Sequence, residues 1–275
     1  MPELPEVETV RRVLAIQLIG KTIQSSTIRY EKMIKRTSLV DFQSRMVGKK
    51  VDSISRKGKY LLFHLGIETL VVHLRMEGKF YLKHPEDVWE KHEHLELAFT
   101  DGTSLRYHDT RKFGTFELYA PGETFEGGLG EIAYEPIDEA FDRQQFIQKV
   151  RKSHRPIKAI LLDQSVIAGL GNIYVDETLF RAKVHPERRG HTISIQEIEK
   201  IATESRLVLE KAVELGGSTI RSYTSSLGVT GRFQNELFVH THAGEPCPVC
   251  QTTILKTRVA GRGTYLCPTC QKRRK

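Results

Sequence analysis

Leu95-Glu-Leu-Ala-Phe-Thr-Asp-Gly-Thr-Ser-Leu-Arg-Tyr107 is the stretch that decides the architecture of the first half of the chain. Leu95, Leu97 and Phe99 recur at the period of a strand, Asp101-Gly102 is a hairpin-turn pair, and Leu105 and Tyr107 resume the alternation. Phe116 and Leu118 carry the pattern onward, and Tyr60–Leu65 and residues 70–74 also fit strands. Short strands repeated at this spacing predict an antiparallel sandwich. One helix precedes it, because Val7, Val10, Leu14 and Leu18 share a helical face that stops near Gly20.

Beyond these strands the composition changes. Residues 121–142 hold seven acidic residues and no Lys or Arg, together with Gly122, Gly127, Gly128 and Gly130 and the prolines Pro121 and Pro136. Such a stretch reads as a linker. After it the period becomes helical: 157–166 looks helical, and Ser194 and Glu197 form a capping box before Ile198, Ile201, Ala202, Val208, Leu209 and Ala212. That helix should end at Gly216-Gly217. Residues 217–236 are rich in Ser, Thr and Gly with little periodicity, the composition of a functional loop, here read as a lid. Strand-like runs return at 237–240 and 264–267. The expected class is α+β in two domains: a β-sandwich over 1–130, a helical domain over 131–236, and a small cysteine module over 237–275.

The 275 residues carry 42 Lys and Arg against 34 Asp and Glu, a net +8. Setting the acidic linker aside leaves 42 basic against 27 acidic residues, so both halves are suited to a polyanion. With 39% hydrophobic residues the chain can build cores, which excludes disorder and collagen. Glu3, Glu6, Glu8, Arg11 and Arg12 leave no apolar core for a signal peptide near the start, and no apolar run approaches membrane-spanning length, so a soluble cytoplasmic protein is expected.

All four cysteines lie in Cys247-Pro-Val-Cys250 and Cys267-Pro-Thr-Cys270, separated by sixteen residues. Two knuckles at this spacing fit one tetrahedral zinc held by four thiolates, a closed site that supports structure and activates no water. His240 and His242 are alternative ligands. Residues 243–275 carry seven basic residues against Glu245 alone, so the metal module presents positive charge. A piece this short relies on its metal for about 10 kcal/mol of folding energy.

Gly169-Leu-Gly171-Asn172 looks superficially like a dinucleotide loop, but Tyr174 stands where a third glycine is needed. No nucleotide cofactor is expected. The surviving readings are a glycine turn that opens a helix at Asn172 and receives a phosphate, or a tight turn between two helices. At the chain start, Met1-Pro-Glu-Leu-Pro-Glu-Val-Glu8 also has two readings. Pro5 and its acidic neighbours suit the first turn of a helix. Alternatively, trimming of Met1 frees the secondary amine of Pro2, which titrates near roughly 8 and is partly nucleophilic at neutral pH. Attack on an aldehyde-like carbon gives an iminium, with Glu3 adjacent as acid or base.

Met1-Pro-Glu-Leu-Pro-Glu-Val-Glu-Thr9, His73-Leu-Arg-Met-Glu-Gly78, Arg111-Lys-Phe-Gly114, Gly169-Leu-Gly-Asn-Ile-Tyr174 and the four-cysteine finger, in this order, resemble the formamidopyrimidine-DNA glycosylases. Departures are small: Lys57 where the family often has Arg, Thr110 where it often has Pro or Val, and a slightly extended basic tail. The resemblance implies a helix-two-turns-helix domain with a C-terminal β-hairpin zinc finger. It also implies a bifunctional repair enzyme that excises oxidised purines such as 8-oxoguanine and formamidopyrimidines, then nicks the strand by β,δ-elimination. By this likeness Pro2 forms the Schiff base and Glu3 moves protons. Lys59 contacts the phosphate beside the lesion, and Arg262 of the finger acts with it. His73, His92, Lys112 and Asn172 contact DNA, and Met76, Arg111 and Phe113 fill the gap left by the extruded nucleotide. Thr219, Arg221 and Tyr223 of the lid, with Glu77, are the lesion-recognition candidates. The implied partner is damaged double-stranded DNA and the implied form a monomer, in the cytoplasm and nucleoid of a bacterium.

Two other readings compete. The sister glycosylase for oxidised pyrimidines, of the endonuclease VIII type, shares the Pro-Glu start and the finger, but Leu4, Val7, Glu8 and Thr9, with Met76 and Phe113, favour the purine enzyme. A non-catalytic zinc-dependent nucleic-acid-binding protein would explain charge and finger without using the N-terminus.

Overall fold

The computed structural model describes residues 2–218 and 231–273, which fall into two compact units. The first runs to Gly130 and includes Ser218 and Gly231; the second comprises Glu131–Gly217 and the chain from Arg232. The division lies inside the acidic stretch.

In the first unit, helix α1 (Leu4–Leu18) begins at a capping box in which Glu3 and Glu6 satisfy each other's backbone N–H groups, with Pro in the first turn. Its buried face is Val7, Val10, Leu14 and Leu18, and it packs on strands β3 (Ser53–Lys57) and β4 (Tyr60–Leu65). Two sheets follow. One has the order β1 (Ile23–Ile28), β7 (Glu93–Phe99), β8 (Ser104–His108), β6 (Lys79–Lys83). The other has the order β2 (Ile34–Lys35), β9 (Thr115–Tyr119), β5 (Glu68–His73), β4, β3. Helix α2 (Leu39–Met46) lies between β2 and β3 in sequence.

Aromatic side chains from both sheets meet in the core: Phe80 of β6 lies 5.3 Å from Tyr107 of β8, 6.1 Å from Phe63 of β4 and 6.3 Å from Phe116 of β9 between ring centroids. Interdigitated, edge-on rings of this kind make the sandwich core, as the alternation implies. Two details differ from a simple antiparallel sandwich. The short β2 pairs parallel to β9. Every residue of β7 is buried, including Glu96 on the face that alternation would leave wet and Glu93 beyond a register shift before Leu95. Arg106 explains this, because its fully buried guanidinium meets Glu96 at 2.8 Å and Glu93 at 3.1 Å and donates to the carbonyl of Asp87 at 2.7 Å. The 84–90 segment is thus drawn over the sheet, with the Trp89 ring 4.7 Å from the guanidinium.

The second unit contains α4 (Arg143–Arg151), α5 (Ile157–Leu161), α6 (Asn172–Ala182) and α7 (Ile195–Glu214), followed by a hairpin of β10 (Leu255–Val259) and β11 (Arg262–Leu266). A four-residue α3 (Gly127–Gly130) closes the first unit. Ser194 and Glu197 form the expected capping box, and Gly216 and Gly217 take the left-handed conformation that ends α7. Glu197 also meets Arg188 at 2.6 Å. That hydrogen bond, against the opposing effect of burial, holds the Glu197 carboxyl down at about 2.

Two sequence expectations are corrected here. The helix anticipated over 157–166 ends at Leu161, after which turns lead to Gly169. Residues 237–240 are no strand: the buried carboxylate of Glu177 accepts hydrogen bonds from the N–H groups of Phe238, Val239 and His240 at 2.8–3.0 Å, so a single side chain replaces a sheet ladder. Among the described residues no helix is long and apolar enough to cross a membrane.

Candidate functional site

In the first unit, Pro2 and Glu3 are both buried at the positive end of α1. The Glu3 N–H donates to Glu6 Oε2 at 2.8 Å, and Glu6 Oε1 accepts from the N–H and hydroxyl of Ser218 at 2.7 and 3.1 Å. One buried carboxylate therefore fastens the chain start to the residue that immediately precedes segment 219–230. Thr219, Arg221 and Tyr223, the lid candidates, lie outside the described residues.

Lys59 sits buried in the turn between β3 and β4, and its neighbour Tyr60 lies opposite His73 in the ladder, the two rings edge-on at 4.5 Å. Burial, then the charges of Arg75 and Lys59, push the His73 imidazole down to about 3. Its Nδ1 accepts from the Arg75 N–H at 2.9 Å, which leaves the proton of the neutral ring on Nε2 as an outward donor.

Two loops stand side by side beyond His73. Residues 74–78 carry Met76 and Glu77; residues 109–114 carry Arg111, Lys112 and Phe113. The buried Asp109 carboxylate shapes the second loop, accepting from the N–H groups of Arg111, Phe113 and Gly114, each at 2.9 Å. The Tyr107 hydroxyl fills the space a Cβ would need at Gly78 and at Gly114, which is why both loops carry glycine there. The Thr110 hydroxyl hydrogen-bonds Glu77 and links the loops directly. Phe113, half exposed, lies 4.7 Å under the Arg111 guanidinium. Met76 is half-buried, and Lys112 lies 4.9 Å from the Tyr30 ring. His92 adjoins the base of the second loop, its carbonyl accepting from the Asp109 N–H at 2.9 Å, and its ring lies 5.6 and 6.5 Å from those of His108 and His94.

In the second unit Gly171 caps α6, with Asn172 as its first residue. The Asn172 side-chain amide donates to the Gly263 carbonyl at 3.0 Å, so the helix start and the hairpin turn that bears Arg262 are held together. Lys158 donates to the same carbonyl at 2.9 Å. The four cysteine sulfurs lie within 4.8 Å of one another. A tetrahedral zinc with Zn–S bonds of about 2.3 Å spaces its sulfurs by about 3.8 Å, and the pairs Cys247–Cys270 and Cys250–Cys267 are 3.9 and 3.4 Å apart. The donor set fits one structural zinc ion. His240 and His242 are engaged elsewhere, by Asp176 at 2.9 Å and Glu245 at 2.8 Å, and are not in the cluster.

Three family patterns match the chain in order: the formamidopyrimidine-DNA glycosylase N-terminal domain over residues 1–116, the H2TH domain of the same enzymes over 132–224, and the zinc finger found in FPG and IleRS over 244–273. The formamidopyrimidine-DNA glycosylase of Oceanobacillus iheyensis is 46% identical over 273 residues, 98% of each chain. That of Bacillus subtilis is 47% identical over 278 residues, the full length of both. This chain belongs to the formamidopyrimidine-DNA glycosylase family. Among solved structures, Lactococcus lactis Fpg bound to abasic-site DNA superposes with a TM-score of 0.93 at 45% identity, covering 99% of this chain and 100% of that one. MutM bound to DNA with carbocyclic 8-oxo-G superposes equally well at 44% identity, with the same coverage.

Within the formamidopyrimidine-DNA glycosylase fold, several supporting residues escape a reading of the sequence alone. Asp109 and Tyr107 build the loop of Arg111 and Phe113, Glu6 joins the chain start to Ser218, and Lys158 with Asp176 fixes the finger. Asp109 has one local signal, its position two residues before Arg111 in a turn; the others act across long sequence separations.

Proposed function

We propose that this chain binds damaged duplex DNA, excises oxidised purines such as 8-oxoguanine and formamidopyrimidines, and then nicks the strand. The observation that carries the reading is the fixed placement of Pro2 and Glu3 at the head of α1, where the Glu3–Glu6 capping box holds both in a buried position. In this reading the removal of Met1 leaves Pro2 as the first residue, with a free secondary amine. The positive end of the helix disfavours its protonated form, and with an unperturbed value near roughly 8 the amine is a usable nucleophile at neutral pH.

Attack of the nitrogen on C1′ forms a C–N bond as the glycosidic bond to the damaged base breaks, and the base leaves with a proton. Glu3 supplies a proton to the opening sugar ring and accepts one as the iminium forms. The iminium acidifies C2′; loss of that proton expels the 3′ phosphate, and a second elimination expels the 5′ phosphate. Lys59 and the Nε2–H of His73 are placed to hold phosphate, and Asn172 and Arg262 supply a second pair of donors from their own unit. Chemistry inside a duplex requires extrusion of the nucleotide at a cost of a few kcal/mol. Phe113 and Met76 supply apolar filling for the gap, and the Arg111 guanidinium offers paired donors to the orphaned cytosine. The zinc holds the hairpin's shape and takes no part in these steps.

Borohydride trapping tests the reading. A covalent complex should form with duplex containing 8-oxoguanine opposite cytosine, and Pro2→Gly should reduce both the complex and strand cleavage sharply. Trapping and cleavage in Pro2→Gly equal to those of the wild type would leave the proline amine without a role. Preferential excision of thymine glycol opposite adenine would assign the chain to oxidised pyrimidines instead.

A further inference from the structure

Beside the loop of Phe113 the first unit has an open cleft of about 460 Å³, lined by Tyr30, Lys32, Lys35, Arg75, Lys112 and Phe113 together with Gly114 and Thr115. Four cations face one cavity whose lining contains no carboxylate. None of the four forms an ion pair with a carboxylate among the described residues. The arrangement is also held in place: Arg75 and Lys112 adopt left-handed backbone angles, φ 54° and 58°, which non-glycine residues rarely occupy and which persist where the surroundings enforce them. For Lys112 that enforcement includes the Asp109 carboxylate, which fixes the N–H groups on both sides of it. Tyr30 and Phe113 add aromatic rims. A concave, cation-lined wall with aromatic edges suits a nucleic-acid backbone, since phosphates supply the charge and sugars and bases pack on the rings.

We propose that this cleft receives phosphates of the strand opposite the lesion. The inference rests on the reading given above, in which Pro2, Glu3, Lys59 and His73 serve the damaged strand while Arg111 and Phe113 face the orphaned base. The cleft is lined by none of the former four and is bounded by Phe113 itself, so it adjoins the group that in this reading faces the orphaned base. It thereby gives the protein a grip on the continuous strand that outlasts cleavage of the other.

Duplexes with 8-oxoguanine opposite cytosine, carrying single neutral methylphosphonates at successive positions of either strand, distinguish the strands. With wild-type protein, one or two positions on the undamaged strand should each lower affinity about tenfold, the scale of a lost phosphate contact. In Lys32→Ala/Lys35→Ala the same substitutions should cost nothing further, while penalties on the damaged strand stay as in wild type. Salt dependence should also become shallower by about two. Both lysines are exposed, and Lys32→Gln/Lys35→Gln, which keeps the side-chain length, should behave alike. Undamaged-strand penalties that persist in both variants would overturn the proposal, as would a coupling confined to the damaged strand. Failure of the wild type itself to excise or be trapped on the lesion would overturn the underlying reading instead.

Discussion

Lys158 Nζ lies 2.7 Å from Asp176 Oδ1, and neither side chain has any exposure to solvent. The pair joins α5 to α6, and through the Gly263 carbonyl on Lys158 and the Tyr265 N–H and His240 ring on Asp176 it reaches the finger hairpin. An ion pair this deeply buried contributes little net stability, but removing one partner strands the other charge. Lys158→Met is therefore expected to destabilise the second unit by about 3–5 kcal/mol. Denaturant titration with zinc release as the readout checks this, since the hairpin should loosen with the network. An unchanged midpoint would mean that Asp176 is satisfied without its lysine.

Asp109 is expected to act through the loop it shapes. Asp109→Ala leaves three N–H groups without their acceptor and frees Arg111 and Phe113 to move. If those side chains fill the gap in the duplex, excision from double-stranded DNA should fall by roughly one to two orders of magnitude, the scale of a misplaced positioning group. Asp109→Asn, which keeps one carbonyl acceptor, should recover part of it. The discriminating readout is single-stranded substrate, which leaves no stack to fill: equal losses on single- and double-stranded DNA would reduce Asp109 to a purely structural role.

Much of this is legible in the sequence because it is local. The cysteine spacing, the Ser194–Glu197 box, the Asp101-Gly102 hairpin and the helical face of Val7, Val10, Leu14 and Leu18 each declare themselves within a few residues. What stays hidden depends on contacts across long separations. Alternation cannot reveal that Arg106 turns the polar face of β7 into a second interior, and apolar composition at 237–240 cannot reveal that Glu177, some sixty residues earlier, anchors it. Lys158 reads as a helix-surface lysine until Asp176 is brought to it, and Asp109 reads as a turn residue until its three partners appear.

His73 provides a pH test. Its folded value of about 3 lies below the ordinary value of 6.5 for an unfolded chain, so the unfolded state binds the proton first as the solution is acidified. The stabilisation from keeping this ring neutral is therefore complete above pH 6.5 and is lost progressively as the pH falls toward 3. His73→Gln should make the denaturation midpoint less dependent on pH across that window. In the native protein the His73 ring resonances should not titrate between pH 8 and 5, so any contribution of its Nε2–H to phosphate binding stays constant there. A midpoint near 6 by NMR would place the ring in a wetter and less positively charged setting than the one described.

Zinc removal bears on the finger most directly. The buried cysteines Cys247 and Cys267 share a small cluster with Phe180, Val239 and Ile254, so the metal supports the packing of the hairpin on α6 as well as its own loops. A structural zinc supplies about 10–16 kcal/mol of folding energy to such a module, and the few apolar side chains that remain beside it cannot replace that. Chelation should therefore unfold β10 and β11 and release Gly263 from Asn172 and Lys158. Duplex affinity should fall, and its salt dependence should become shallower by about one for each finger cation that had met a phosphate. Equimolar zinc should restore both, whereas magnesium should change neither binding nor cleavage. If the metal-free protein kept its full salt dependence, Lys256, Arg258 and Arg262 would have no contact with DNA, and the grip would belong to the rest of the chain.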